Sequence, residues 1–155
     1  RDPPPPALWY WAAARAAAES AHLDPAIEVA REGVERHPAD SLLRNTLAVL
    51  LEAAGDMSEA EVHLRKALEE DPALPQVCKN LGDLCYRSGR YEEAATHYSQ
   101  AAALGPDLGD DLYFKLGNLA YRERDPARAR ECWQRALGLN PAHQLARANL
   151  ASLPR

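Results

Sequence analysis

At 155 residues, with 46% hydrophobic and 26% charged residues, the chain can bury one sizeable core and has an ordinary soluble composition. A net charge of −5 argues against a nucleic-acid binder, whose surface must neutralise phosphates, and no apolar run is long enough to span a membrane. The three cysteines contain no CxxC pair; Cys78 and Cys85, seven apart on one predicted helix and so roughly 10 Å apart, are too distant for a disulfide, which points to a reducing, cytoplasmic setting.

Aromatic residues are only 6% while alanine is abundant, a balance suited to helices that approach closely. Fifteen arginines against three lysines point to a GC-rich bacterial genome. The first residue is not Met and no signal peptide follows it, so a piece of a longer protein is expected.

Residues 1–6 hold four consecutive prolines and read as a stiff, extended linker. Residues 7–40 form a first unit of two helices, the second starting near Asp24, which can cap it with Pro25 in its first turn. Residues 41–74 form a second unit. Its first helix runs to about Ala54, Gly55 and Asp56 make the turn, and Ser58 with Glu61 predicts a capping box on the second helix. Residues 75–109 turn at Ser88 and Gly89, and residues 110–143 turn near Arg124 and Asp125. A last helix, from Ala142 to about Ser152 within residues 144–155, reads as a cap or the start of a truncated fifth unit, with Leu145 and Leu150 inward and Arg147 and Asn149 toward water.

The prolines that close the second helices, Pro38, Pro72, Pro106 and Pro141, are spaced 34, 34 and 35 apart. Around them recur Leu81-Gly82 and Leu116-Gly117, Ala94 and Ala129, Tyr98 and Trp133, Ala101 and Ala136. The second unit keeps Leu47, Leu51, Ala60, Leu64 and Ala67 with Ala48 in the glycine place; the first, with Ala13, Ala14, Ala17, Ala26, Ala30 and Gly33, is degenerate. A period of 34 with two helices per unit resembles the tetratricopeptide repeat (TPR) family over residues 7–141. The resemblance implies an all-α fold, a right-handed superhelical solenoid of antiparallel helix pairs. Gly82 and Gly117 are expected at the closest approach of paired helices, faced by Ala94 and Ala129.

In that family the first helices of successive units line a concave groove that binds peptides or partner helices. The positions this places in the groove are Trp11 and Arg15 in the first unit and Asn45 in the second. The third unit adds Lys79, Asn80, Asp83, Tyr86 and Arg87, and the fourth Asp111, Phe114, Lys115, Asn118, Tyr121 and Arg122. Lys79, Arg87, Lys115 and Arg122 beside three rings suggest a basic-aromatic groove for an acidic or carboxylate-bearing peptide. The alternative is a solvated face on which these cations pair with Asp83, Asp111 and nearby glutamates. Family members that clamp a terminal Glu-Glu-Val-Asp carboxylate need five side chains. Asn80 matches, whereas Asn45, Val49, Asp111 and Lys115 do not, which argues against that specificity.

In the cluster Trp9, Tyr10 and Trp11, Tyr10 is expected between helices, Trp11 at the groove mouth and Trp9 at the open end of the stack. His63 and His97, 34 apart, read as an exposed ladder on the convex side and not as metal ligands. No catalytic motif or phosphate loop is evident, so no cofactor, metal or enzymatic activity is expected. The favoured function is a protein-interaction module with an adaptor or scaffold role. One rival is a recruiting or regulatory arm of a larger bacterial enzyme, such as a signalling methyltransferase, kinase or glycosyltransferase. Another is a structural protein that associates end to end through its terminal repeats, as in an end-to-end dimer.

Overall fold

The computed structural model describes residues 3, 5–20, 22–105 and 107–153, and all regular structure among them is helical. Four antiparallel pairs follow one another: α1 (Ala7–Glu19) with α2 (Leu23–Arg36), α3 (Ser41–Ala53) with α4 (Met57–Glu70), α5 (Pro75–Arg87) with α6 (Tyr91–Leu104), and α7 (Asp110–Arg122) with α8 (Pro126–Leu139). The short α9 (Gln144–Ser152) packs on α8. Each pair packs mainly within itself and on the next pair, so the chain is a solenoid. Of the proline-rich segment, Pro3, Pro5 and Pro6 are described and exposed, and the Pro5 carbonyl accepts from His37 Nε2 at 2.8 Å. Pro106 lies outside the described residues.

Helix starts follow local polar chemistry, with two corrections. Asp24 lies inside the first turn of α2 and makes no cap hydrogen bond; His22 holds the N-cap place. Helix α4 begins at Met57, capped by Asp56, whose carboxylate accepts from the Glu59 N–H at 3.0 Å. Ser58 is therefore inside the helix, and Glu61 turns to arginines instead of closing a capping box. Asp40 and Asp125 cap α3 and α8 in the same manner as Asp56. The turns within three pairs place Gly55 (φ 91°), Gly89 (φ 74°) and Arg124 (φ 62°) in the left-handed region. Arginine there carries a steric penalty that glycine does not.

The core runs along the stack as aliphatic side chains and three rings, Tyr10, Tyr98 and Trp133. Leu43, Leu47, Leu64, Val77, Leu81, Leu84 and Leu112 are fully buried, with Tyr10 and Tyr98. The close approach inside a pair is between glycine and ring, not between glycine and alanine as the repeat pattern suggested. A Cβ on Gly82 would lie 2.7 Å from Tyr98 Cδ1, and one on Gly117 would run into the Trp133 indole. In the first pair the roles exchange helices: Tyr10 on α1 sits over Gly33 on α2. The three cysteines are free thiols. Helix α9 keeps Leu150 against the core and Arg147 exposed, as expected, but departs from the expectation at Leu145 and Asn149. Leu145 is 62% exposed, while Ala146 and Leu153 are buried and Asn149 donates inward to Asn118 at 3.1 Å.

Polar contacts between neighbouring pairs sort the helices into two walls. On the even helices, Arg31 on α2 grips Glu59 on α4 through both nitrogens. Arg90, just before α6, grips Glu61 on α4 at 2.7 and 2.8 Å, and Arg65 links Glu61 to Glu93. His63 and His97 belong to this wall, but they are no exposed ladder. Each side chain is only 14% exposed, because its ring is wedged among its neighbours beside Glu59 or Glu93. Burial lowers both imidazole pKa values, favouring the neutral ring.

The Glu61 carboxyl sets an acid limit on this wall. Hydrogen bonds from Arg90, and then Arg65, outweigh burial and hold its pKa down to about 2, against an ordinary 4.5. A depressed acid stabilises the fold above its ordinary value and loses that contribution as pH falls toward its folded value. Stability should therefore drop between about pH 5 and pH 2. Glu61→Gln should be less stable at pH 7 and show a flatter urea midpoint across that window; an unchanged pH slope would refute the assignment.

Candidate partner-binding wall

The odd helices form the other wall, and hydrogen bonds tie them side by side. Asn80 on α5 donates to Asn45 on α3 at 2.8 Å and accepts from Gln76 at 2.9 Å. Arg87 on α5 pairs with Glu52 on α3. Lys115 on α7 donates to Asp83 on α5 at 2.6 Å, and Asn149 on α9 reaches Asn118 on α7. The residues expected to line a groove are thus brought onto one wall, but many are already engaged with one another.

Asp83 is the hub of the C-terminal half. Its carboxylate accepts from Tyr98 Oη at 2.6 Å, Lys115 Nζ at 2.6 Å and Lys79 Nζ at 3.0 Å. Burial pushes its pKa up, but the three donors outweigh burial and hold it below the ordinary carboxylate value. The Tyr98 hydroxyl is pushed up by burial and by the Asp83 charge. Lys115 also pairs with Asp111 at 2.7 Å, and these carboxylates raise its pKa despite burial. One unit later Asn118 takes the place of Asp83 and accepts from Trp133 Nε1 at 3.1 Å. Asp83 and Asn118 therefore receive the polar tips of core rings from their own partner helices. The signal was present in the sequence as a polar residue 15 positions before each ring, repeated in two units.

Three of the four cations expected to attract an acidic ligand are consequently neutralised inside the wall: Lys79, Lys115 and Arg87. Arg122 instead stacks over Tyr91 at 4.2 Å, at the edge of a depression of about 430 Å³ that Gly89, Arg90, Glu92 and Glu93 also line. The rings are partly engaged too. Tyr86 packs edge-on against Tyr91 at 5.5 Å, and Phe114 lies 4.6 Å from the His143 ring. Tyr121 remains exposed, above a smaller depression of about 240 Å³ with Asn118, Trp133, Asn149 and Ser152.

The N-terminal half of the same wall is different in kind. Leu8, Trp11, Leu42 and Val49 are 72%, 36%, 58% and 46% exposed on α1 and α3. At the corresponding places α5 and α7 carry Gln76, Lys79 and Asp83, and Asp111, Phe114 and Asn118. Leu8, Trp11 and Leu42, with Ala7, Leu43 and Asp40, line a largely apolar depression of about 420 Å³. Arg15 lies over the Trp11 ring at 5.4 Å while bonded to Glu19 at 2.9 Å, which holds the indole along its helix. This apolar half was not singled out by the charge pattern. Leucine at the second place of both α1 and α3, opposite Trp11, was the available clue. Among the described residues no helix is long and apolar enough to cross a membrane.

Comparison with known proteins follows the same architecture. Three tetratricopeptide repeat models match residues 12–75, 51–119 and 110–143. The type IV pilus assembly protein PilF of Pseudomonas aeruginosa is 30% identical over 112 residues, covering 71% of this chain and 44% of that protein. The tetratricopeptide repeat-containing protein trd-1 of Caenorhabditis elegans is 28% identical over 132 residues, covering 84% of this chain and 16% of its own length. The chain thus spans less than half the length of the curated relatives it matches. The PilF structure superposes with a TM-score of 0.80 at 24% identity, over 94% of this chain and 66% of that one. YrrB, described as a TPR protein with an unusual peptide-binding site, superposes at 0.73 with 18% identity, over 92% of this chain and 73% of its own.

Proposed function

Because the chain belongs to the tetratricopeptide repeat family, we propose that it is a non-catalytic interaction module. It holds a peptide or partner helix against the wall of odd helices, with the apolar side chains of the bound segment anchored at the N-terminal half. The observation that carries this reading is the depression between α1 and α3, where Trp11, Leu8 and Leu42 stand exposed together. A half-exposed tryptophan flanked by leucines is the composition of an interface hot spot. The amides Asn45, Asn80 and Gln76 lie next along the wall and can bond an extended backbone, since each amide both donates and accepts.

An acidic segment is the less supported occupant, because Asp83, Asp111 and Glu52 already answer three of the four cations. Asp83, Lys79, Lys115 and Asn118 act in this reading as the rigid floor of the wall, while Tyr86, Phe114, Tyr121 and Arg122 frame its far end.

The test uses peptides selected from a random displayed library on the immobilised chain. The double variant Trp11→Ala, Leu42→Ala should keep its helical circular dichroism and bind the selected peptides about thirtyfold more weakly, the ~2 kcal/mol of one hot spot. Val62→Ala, which trims a side chain of similar exposure on α4 of the other wall, should bind normally. Equal binding by all three proteins, or no peptide enriched at all, would contradict the reading.

A further inference from the structure

Where α5 packs on α6, the thiol of Cys85, a carboxylate oxygen of Glu93 and a ring nitrogen of His97 all lie within 4.8 Å of one another. We propose that these three side chains bind a divalent transition-metal ion of the zinc class, between α5 and α6 and away from the proposed partner site. Thiolate, imidazole and carboxylate together form a donor set for a borderline-soft cation, whereas magnesium and calcium take oxygen donors.

The imidazole is the telling component. His97 Nδ1 is buried without a hydrogen-bond partner, and Nε2 stands 3.8 Å from Glu93, beyond a hydrogen bond. A ring nitrogen without a hydrogen-bond partner can offer its lone pair to a metal. Cys85 is fully buried and a free thiol. Binding replaces the S–H bond by an S–metal bond and releases that proton to water, leaving the thiolate as ligand.

The charges around the site permit this exchange. Arg65 and Arg90 both hold Glu93, but both also hold Glu61. When Glu93 turns one oxygen to the metal, Glu61 keeps the two guanidinium groups paired. The Glu93 side chain is 33% exposed, so the site opens on that side and can admit a water as fourth ligand. A depression of about 240 Å³ lined by Arg65, Leu68, Glu69, Leu81 and His97 adjoins it.

The repeat supplies its own comparison. One unit earlier His63 stands 3.6 Å from Glu59, again with Nδ1 buried and unpartnered, but Leu51 occupies the place of Cys85. Only the later site holds the thiol, so only it should take the metal.

Cobalt(II) chloride, titrated into the reduced protein, is the probe. One equivalent should produce thiolate-to-cobalt charge-transfer absorption in the near ultraviolet, and zinc should bleach it. Cys85→Ala should remain folded, because Ala120 fills the equivalent buried place one unit later, and should lose the band. His97→Gln should weaken binding by more than about a hundredfold, since even an outer-shell partner is worth about ten- to a hundredfold. His63→Gln, Cys78→Ala and Cys132→Ala should keep both the band and the affinity. A folded wild-type chain without the band at saturating cobalt would overturn the proposal, as would a band that survives Cys85→Ala or vanishes with Cys132→Ala.

Discussion

Tyr98→Ala is expected to lower the unfolding free energy by about 3–5 kcal/mol, the cost of emptying a large buried aromatic site. The side chain is fully buried and lies over Gly82, with its ring centre 6.4 Å from that of Tyr86. Its removal would open a cavity between α5 and α6 that flanking leucines cannot fill without moving helices. Tyr98→Phe separates packing from polarity. It deletes only the hydroxyl, and Asp83 keeps Lys79 and Lys115, so the loss should be about 0.5–1.5 kcal/mol. Urea unfolding followed by circular dichroism measures both. Equal losses for the two variants would mean that the Asp83 bond, not the ring, holds this pair together.

The second large effect is at Asp83. Asp83→Ala removes the acceptor of three donors at once, leaving the Tyr98 hydroxyl without a partner and Lys79 without its counter-charge. A fully buried pair broken in this way costs about 3–5 kcal/mol, but Lys79 can swing toward water and Lys115 retains Asp111. The expected loss is therefore about 2–3 kcal/mol. Asp83→Asn should cost less, because an amide oxygen can still accept from Tyr98, as Asn118 accepts from Trp133 one unit later. It should also leave Lys79 free to bind acidic peptides that the wild-type wall ignores. Urea midpoints and binding of a glutamate-rich peptide report the two consequences. If Asp83→Asn destabilises as much as Asp83→Ala, the negative charge is what matters, not the hydrogen bond to the ring.

The helix pairs were legible because their signal is repeated. Leu47, Leu81 and Leu116, 34 or 35 apart, all fall in the core, and the turns at Gly55 and Gly89 lie where the spacing requires them. Misreadings arose where one local signal stood beside another. Ser58 and Glu61 have the spacing of a capping box, but Asp56, two residues earlier, accepts from the Glu59 N–H and takes the helix start. Leu145 was placed inward on hydrophobicity alone, whereas helical geometry turns Ala146 to the core, and Leu153 is buried just past the helix end.

The wall itself was harder to read, for a physical reason. A position on a helix face is determined by periodicity, but whether its charge is free depends on what the neighbouring helix offers. Lys79, Lys115 and Arg87 occupy the expected face, yet Asp83 and Glu52 answer them from positions that the sequence counts as equally exposed. His63 and His97 were read as exposed by their place on α4 and α6, but each side chain is only 14% exposed, and Arg65 and Leu68 of the preceding pair lie beside His97. Contacts between units depend on stacking distance and rotamer, which single-chain spacing does not encode.

The central claim is that recognition lies on the odd-helix wall, at its apolar N-terminal half. Backbone and methyl chemical shifts, recorded as a selected peptide is added to the intact chain, test it most directly. The account predicts the largest changes at Leu8, the Trp11 indole, Leu42 and Val49, fading through Asn45 and Asn80. Changes concentrated on α4, α6 and α8, with these residues unmoved, would contradict it.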